Sequence, residues 1–151
     1  MNVTFRAFRL LALVGLTSCS TQSSMINVPI ENITLAVPEN VHVFRRSSME
    51  DFDLYECSLD GVRILSFYLG NAPSFPHHQD LVGTIAEITT NGMKSKDLRS
   101  AAGQVVLRET LVEVSGSTWP RFVHFWYDDL SRATCETADG IINSVRSNHQ
   151  P

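Results

Sequence analysis

The stretch DFDLYECSLDGVRILSFYLG, residues 51–70, holds two strand-like runs joined by Asp60-Gly61. An Asp-Gly pair between apolar, β-branched and aromatic runs is a strong hairpin signal. The tight turn it forms needs positive φ at both central residues, which Asx and Gly tolerate best. A two-residue turn also sets the register. It opposes Leu59 with Val62, Cys57 with Ile64 and Tyr55 with Ser66 on one face, and Leu54 with Phe67 and Phe52 with Leu69 on the other. Both faces are largely apolar, so this hairpin is expected inside a sheet that is covered on both sides.

The rest of the chain is read around that hairpin. ITLAVP (Ile33–Pro38) and VHVFRR (Val41–Arg46) read as strands, separated by the break at Pro38. NAPSFPHHQD (Asn71–Asp80) reads as a loop held extended by its prolines. Residues 80–96 allow two readings. Leu81, Val82, Ile85 and Ile88 fit a short helix capped by Asp80 and closed by Asn91-Gly92, whereas IAEITT-NG-MKSK fits a hairpin; the helix is favoured. QVVLRETLVEV (Gln104–Val114) and RFVHFWYDD (Arg121–Asp129) form a second hairpin. Cys135, Ala138, Ile141, Ile142 and Val145 then mark one face of a closing helix, capped by Ser131 or Thr134.

This order predicts an α+β domain over residues 33–148: a mostly antiparallel sheet of about five or six strands with a C-terminal helix packed on it. The segments LAVPENVHVF and ADGIINSVR resemble PsbP-like domains. The resemblance covers most of the chain after its N-terminal segment but rests on hydrophobic pattern, and it implies a fold without a function.

The N-terminus has a different character. Arg6 and Arg9 precede the apolar run Leu10–Leu16, which is too short for the roughly 20 residues that span a bilayer. Residues 1–18 therefore read as a signal peptide. Leu16-Thr17-Ser18-Cys19 resembles the bacterial lipobox. The resemblance implies that the chain is cut before Cys19, that its thiol carries diacylglycerol and that the new amine is acylated. Several acyl chains anchor a protein to a membrane stably, where one does not. Ser20, in place of Asp, resembles lipoproteins sorted to the outer membrane of Gram-negative cells, which would place the domain at the inner leaflet facing the periplasm. Polar, Ser-rich residues 19–32 suit a flexible tether.

Of three cysteines, lipidation takes Cys19 and leaves Cys57 and Cys135. In an oxidising compartment a remaining pair is expected to form a disulfide, closing a loop of about 80 residues and contributing roughly 4 kcal/mol in the chain-entropy model. Cys135 on the helix face would then be tied to Cys57 on the central hairpin.

Charge and motifs narrow the function. The chain has 12 basic and 16 acidic residues; removing Arg6 and Arg9 leaves ten against sixteen. That acidic balance argues against nucleic acid as a partner. No Ser-centred elbow, phosphate loop or zincin helix is present, and no cofactor or metal is expected. His77 and His78 are adjacent in an extended loop and point apart, which suits partner contact better than a shared metal. Trp119 and Arg121 lead the aromatic run TWPRFVHFWYDD, and Trp and Arg are the residues that anchor protein interfaces. His124 reads as a packed, hydrogen-bonded histidine; an enzyme would have to use it with Asp128. The expected function is a lipid-anchored, non-catalytic binding or inhibitor module, in its sharpest form an immunity protein against an envelope-targeting effector. The alternative is a structural accessory of an envelope secretion or assembly complex.

Overall fold

Asp60 (φ 52°) and Gly61 (φ 79°) occupy left-handed backbone, and so do Asn91 (φ 49°) and Gly92 (φ 82°). Both pairs meet the demand of a type I′ turn, and each closes an antiparallel hairpin. The computed structural model describes residues 24–76, 83–102, 105–114, 116–128 and 130–148. Along them run β1 (Met25–Ile30), β2 (Ile33–Pro38), β3 (Val41–Ser48), β4 (Phe52–Leu59) and β5 (Val62–Gly70). These are followed by β6 (Thr84–Thr90), β7 (Met93–Ala102), β8 (Val105–Glu113), β9 (Phe122–Tyr127), the helix α1 (Arg132–Ser144) and the short β10 (Arg146–Ser147).

The strands form two antiparallel sheets, β1-β2-β10 and β3-β4-β5-β9-β8-β7-β6. The molecule is thus mostly β, with ten strands and one helix among the described residues, and the expected α+β domain of five or six strands is overturned. Two segments account for the difference. Residues 25–30, read as part of a tether over 19–32, pair along their whole length with β2, from Met25↔Pro38 to Ile30↔Ile33. The folded unit therefore starts before residue 33. Residues 84–102 form the β6–β7 hairpin and not the favoured helix. Ile85 and Ile88, whose spacing suggested a helix face, lie on opposite faces of β6, and both stay exposed. The positive φ demanded at Asn91 and Gly92, together with pairing to β8, outweighs that local periodicity.

The β4–β5 register departs from the simple hairpin as well. Leu59↔Val62 and Ser58↔Arg63 pair as expected, but a bulge then inserts Ile64, so that Cys57 opposes Leu65 and Tyr55 opposes Phe67. The extra residue lets both Ile64 and Leu65 reach the interior.

α1 packs chiefly on β2 and then on β5, so it and the small sheet cover one face of the large sheet. Ile33, Leu35 and Val37 of β2, Phe67 and Leu69 of β5, Val123 and Phe125 of β9, and Ala138, Ile141 and Ile142 of α1 share one core. Each of the Val, Leu, Ile and Phe side chains among them contributes about 1.5–3 kcal/mol by leaving water. Ser131 Oγ accepts from the Thr134 N–H and caps the first turn of α1. At the other end Asn91 Nδ2 donates to the carbonyls of Asn143 (2.9 Å) and Val145 (2.8 Å). One residue thus forms the β6–β7 turn and satisfies the carbonyls at the end of the helix.

Cys57 and Cys135 are both buried free thiols, so the expected disulfide is not made in this structure. α1 lies over β2 and β5 more than over β4, the strand that carries Cys57. The Cys135 thiol donates to the Leu130 carbonyl at 3.7 Å. Burial pushes the Cys57 thiol up to about 12 and raises that of Cys135, so both are neutral at physiological pH.

Beyond the apolar core, a buried ionic network ties α1 to the far half of the large sheet. Arg108 of β8 is 2% exposed. Its Nε donates to Asp97 Oδ1 (2.7 Å), its Nη1 to Asp139 Oδ1 (2.8 Å) and its Nη2 to Asn143 Oδ1 (3.1 Å). Thr110 Oγ1 and Arg99 Nε also donate to Asp97, and the Tyr127 hydroxyl donates to Asp139 at 2.9 Å. A buried guanidinium is tolerable only with its donors satisfied, and here each nitrogen has a partner.

Burial opposes ionisation of Asp97, but hydrogen bonds from Arg99, Thr110 and Arg108 outweigh it and hold its carboxyl below the ordinary range. A carboxylate with a lowered folded pKa stabilises the chain above its unfolded value, about pH 4, and loses that contribution as pH falls through the folded value. Asp97→Asn should cost about 3 kcal/mol at pH 7 in urea unfolding, by leaving Arg108 under-compensated. The same variant should show a shallower loss of stability than the wild type below about pH 4.

Candidate functional site

The face of the large sheet turned away from α1 has no helix on it among the described residues. Strand alternation directs Tyr68, Phe122, His124, Trp126, Glu109 and Leu111 to it, together with Lys94, Lys96 and Glu87 towards the β6 edge. Its centre is closed. His124 is 2% exposed and Glu109 fully buried, with His124 Nε2 3.2 Å from Glu109 Oε2. Phe75, in the loop after β5, meets the His124 ring edge-on at 5.4 Å, and Trp126 flanks it at 5.2 Å. His124 is therefore packed and hydrogen-bonded, as its aromatic setting suggested.

Towards β6 the same face opens into a cleft of about 610 Å³, lined by Glu87, Ile88, Thr89, Lys94, Ser95, Lys96, Leu111, Glu113 and Phe122. A second hollow of about 470 Å³, lined by Gly92, Lys94, Glu113, Val114, Gly116, Ser117 and Arg121, shares Lys94 and Glu113 with it. The two make one continuous surface. Arg121 stands at its end with the guanidinium 5.5 Å above the Phe122 ring, close enough for a cation–π contact.

Of the four residues expected to meet a partner, Trp119 and Arg121 fall in the segment that borders this surface, and His77 and His78 lie outside the described residues. The described part of their loop, Asn71–Pro76, is nevertheless joined to the Trp119 segment. Asn71 Oδ1 accepts from the Arg121 backbone N–H at 3.0 Å, and Asn71 Nδ2 donates to the Thr118 carbonyl at 3.4 Å. The same segment is held from the other side by Asn32 Nδ2, which donates to the Trp119 carbonyl (2.6 Å) and to Ser117 Oγ (3.1 Å). Trp119 Nε1 is buried with no acceptor among the described residues. Cys19 also lies outside the described residues.

The catalytic alternative needs His124 and Asp128 to act together. The structure instead places His124 against Glu109, and Asp128 4.0 Å from Arg63. No group of three potential metal ligands converges among the described residues. What the surface offers is mixed charge around an aromatic ring: Lys94, Lys96 and Arg121 with Glu87 and Glu113 beside Phe122. Mixed charge around an aromatic ring is a common composition of protein-binding surfaces.

The favoured helix, closed at Asn91-Gly92, left Lys94 and Lys96 outside any element, so their side of the cleft did not emerge from the sequence. As a strand, the alternation Lys94, Lys96 puts both on one face. No family model matches the chain, and no curated protein is detectably similar to it in sequence.

Asn71→Ala should remove the two hydrogen bonds that join its loop to the Arg121 segment, at a cost of about 1 kcal/mol each, while those from Asn32 remain. Hydrogen exchange should show faster opening of the amide of Arg121 while the amides of β2 and β5 are unchanged.

Proposed function

We propose that this chain is a lipid-anchored protein of the bacterial cell envelope that binds and blocks a protein partner, in the manner of an immunity lipoprotein. The observation that carries the binding reading is the continuous cleft whose end is formed by Arg121 stacked on Phe122. Arg and aromatic side chains are enriched among the residues that anchor protein interfaces. The flanking loops, tied together by Asn71, give that surface a fixed shape, which lowers the ordering cost of association. The lipobox-like Leu16-Thr17-Ser18-Cys19 supports the anchor, and Ser20 supports outer-membrane sorting towards the periplasm. No helix among the described residues is long and apolar enough to cross a membrane.

Two measurements test this reading. Labelled palmitate should enter the chain in a Gram-negative host and be lost on Cys19→Ser; unlabelled wild-type chain would sink the anchor. The purified chain should capture one envelope protein stoichiometrically, and Arg121→Glu combined with Phe122→Ala should weaken capture by at least about tenfold with unfolding behaviour unchanged. Failure to capture any stoichiometric partner overturns the binding reading.

A further inference from the structure

The two edges of the seven-stranded sheet are built differently. β3 carries Arg45 and Arg46, and its register breaks at an irregularity between Arg45 and Ser47. Charged side chains and bulges are the devices by which natural edges refuse a further strand. β6 has no bulge, and its one charged residue is acidic, so it repels an acidic strand and not a basic one. Its seven residues run in unbroken register from Thr84↔Arg99 to Thr90↔Met93, and six of them are exposed. Ile85 at 45% and Ile88 at 37% exposure are among the large apolar residues left in solvent. Thr84, Ile85, Ile88, Thr89 and Thr90 are all β-branched, so the edge is stiff and extended before anything binds.

Charge decides the occupant. Glu87 is the one charged residue of β6 and stands at its centre. Full antiparallel overlap with a second copy would set Glu87 directly against the same residue of that copy, and like charges so placed are destabilising. A foreign strand with a cation at that position gains instead. Lys96 of β7 faces Glu87 from the inner side, so an added cation would share that carboxylate, and the acidic excess of the chain, ten basic against sixteen acidic residues without Arg6 and Arg9, favours its approach. On the helix side of the sheet, Ala86 and Ile88 offer apolar neighbours to the residues on either side of the cation.

We infer that β6 is a docking edge for an extended segment of a protein partner, which adds as an eighth strand with Lys or Arg opposite Glu87 and apolar residues opposite Ala86 and Ile88. Main-chain hydrogen bonds supply the affinity and the alternating side chains the specificity. The inference rests on the binding-module reading and extends its surface, since Glu87, Ile88 and Thr89 of β6 also line the cleft.

The test uses the purified full chain in mild detergent and a capped nine-residue peptide alternating threonine and valine with lysine at its centre. Hydrogen exchange read by NMR should show slowed exchange at alternate amides of Thr84–Thr90. A glutamate-centred peptide should bind about fivefold more weakly, and Glu87→Lys should invert that order, which misfolding cannot do. Absence of β6 protection with either peptide overturns the inference. Protection confined to the residues between Lys94 and Phe122 overturns the edge and leaves the cleft reading standing. A dimer in light scattering with β6 amides protected in the absence of peptide assigns the edge to a second copy and also overturns it. Peptide docking on β6 in a chain that captures no envelope protein supports the edge while defeating the binding-module reading.

Discussion

The Arg108 guanidinium is the constraint around which the far half of the molecule is arranged. It is a full charge held almost out of water, so every donor must find an acceptor or the site costs several kcal/mol. Asp97 comes from the neighbouring strand, while Asp139 and Asn143 come from the helix one turn apart. Satisfying one side chain thus fixes the angle of α1 over the sheet and its rotation about its own axis. A purely apolar contact would tolerate several such placements, whereas three directed hydrogen bonds select one.

With the helix fixed on one face, the opposite face is left to the loops. Phe75 closes over His124, which meets the buried Glu109, while the Lys94–Lys96 side stays open as a cleft. The described start of the segment after β5, Asn71–Pro76, lies over the middle of the sheet, where Phe75 meets His124. Arg121 and Phe122 sit at that boundary because β9 starts there.

Local chemistry made part of this legible in the sequence. Asp60-Gly61 announces its turn because few residue pairs accept two successive left-handed conformations, and Ser131 with the 135–142 apolar face announces the closing helix. The bulge at Ile64 was hidden, since nothing in the local sequence separates a residue in regular register from an inserted one. Ile85 and Ile88 misled because a spacing of three marks a helix face in isolation, while an edge strand tolerates exposed apolar residues on either side. Arg108 and Thr110 share alternation with Val112, which points to a charge turned inward. Their partners, Asp97 and Asp139, lie too far along the chain for any spacing rule to reveal. Of the candidate site, Trp119 and Arg121 stood out by residue type, but their union with the cleft depends on Asn71, fifty positions from Arg121.

Asn91 closes a hairpin in the middle of the chain and also holds the last carbonyls of a helix near its end. β10, at residues 146–147, likewise completes the small sheet by pairing with Thr34 and Ile33. A chain emerging from its N-terminus therefore has no finished core until residues 132–147 arrive, because the elements made first wait for α1 and β10. Folding is thereby weighted towards a single late event, in which the small sheet, the helix and the β6–β7 turn close together.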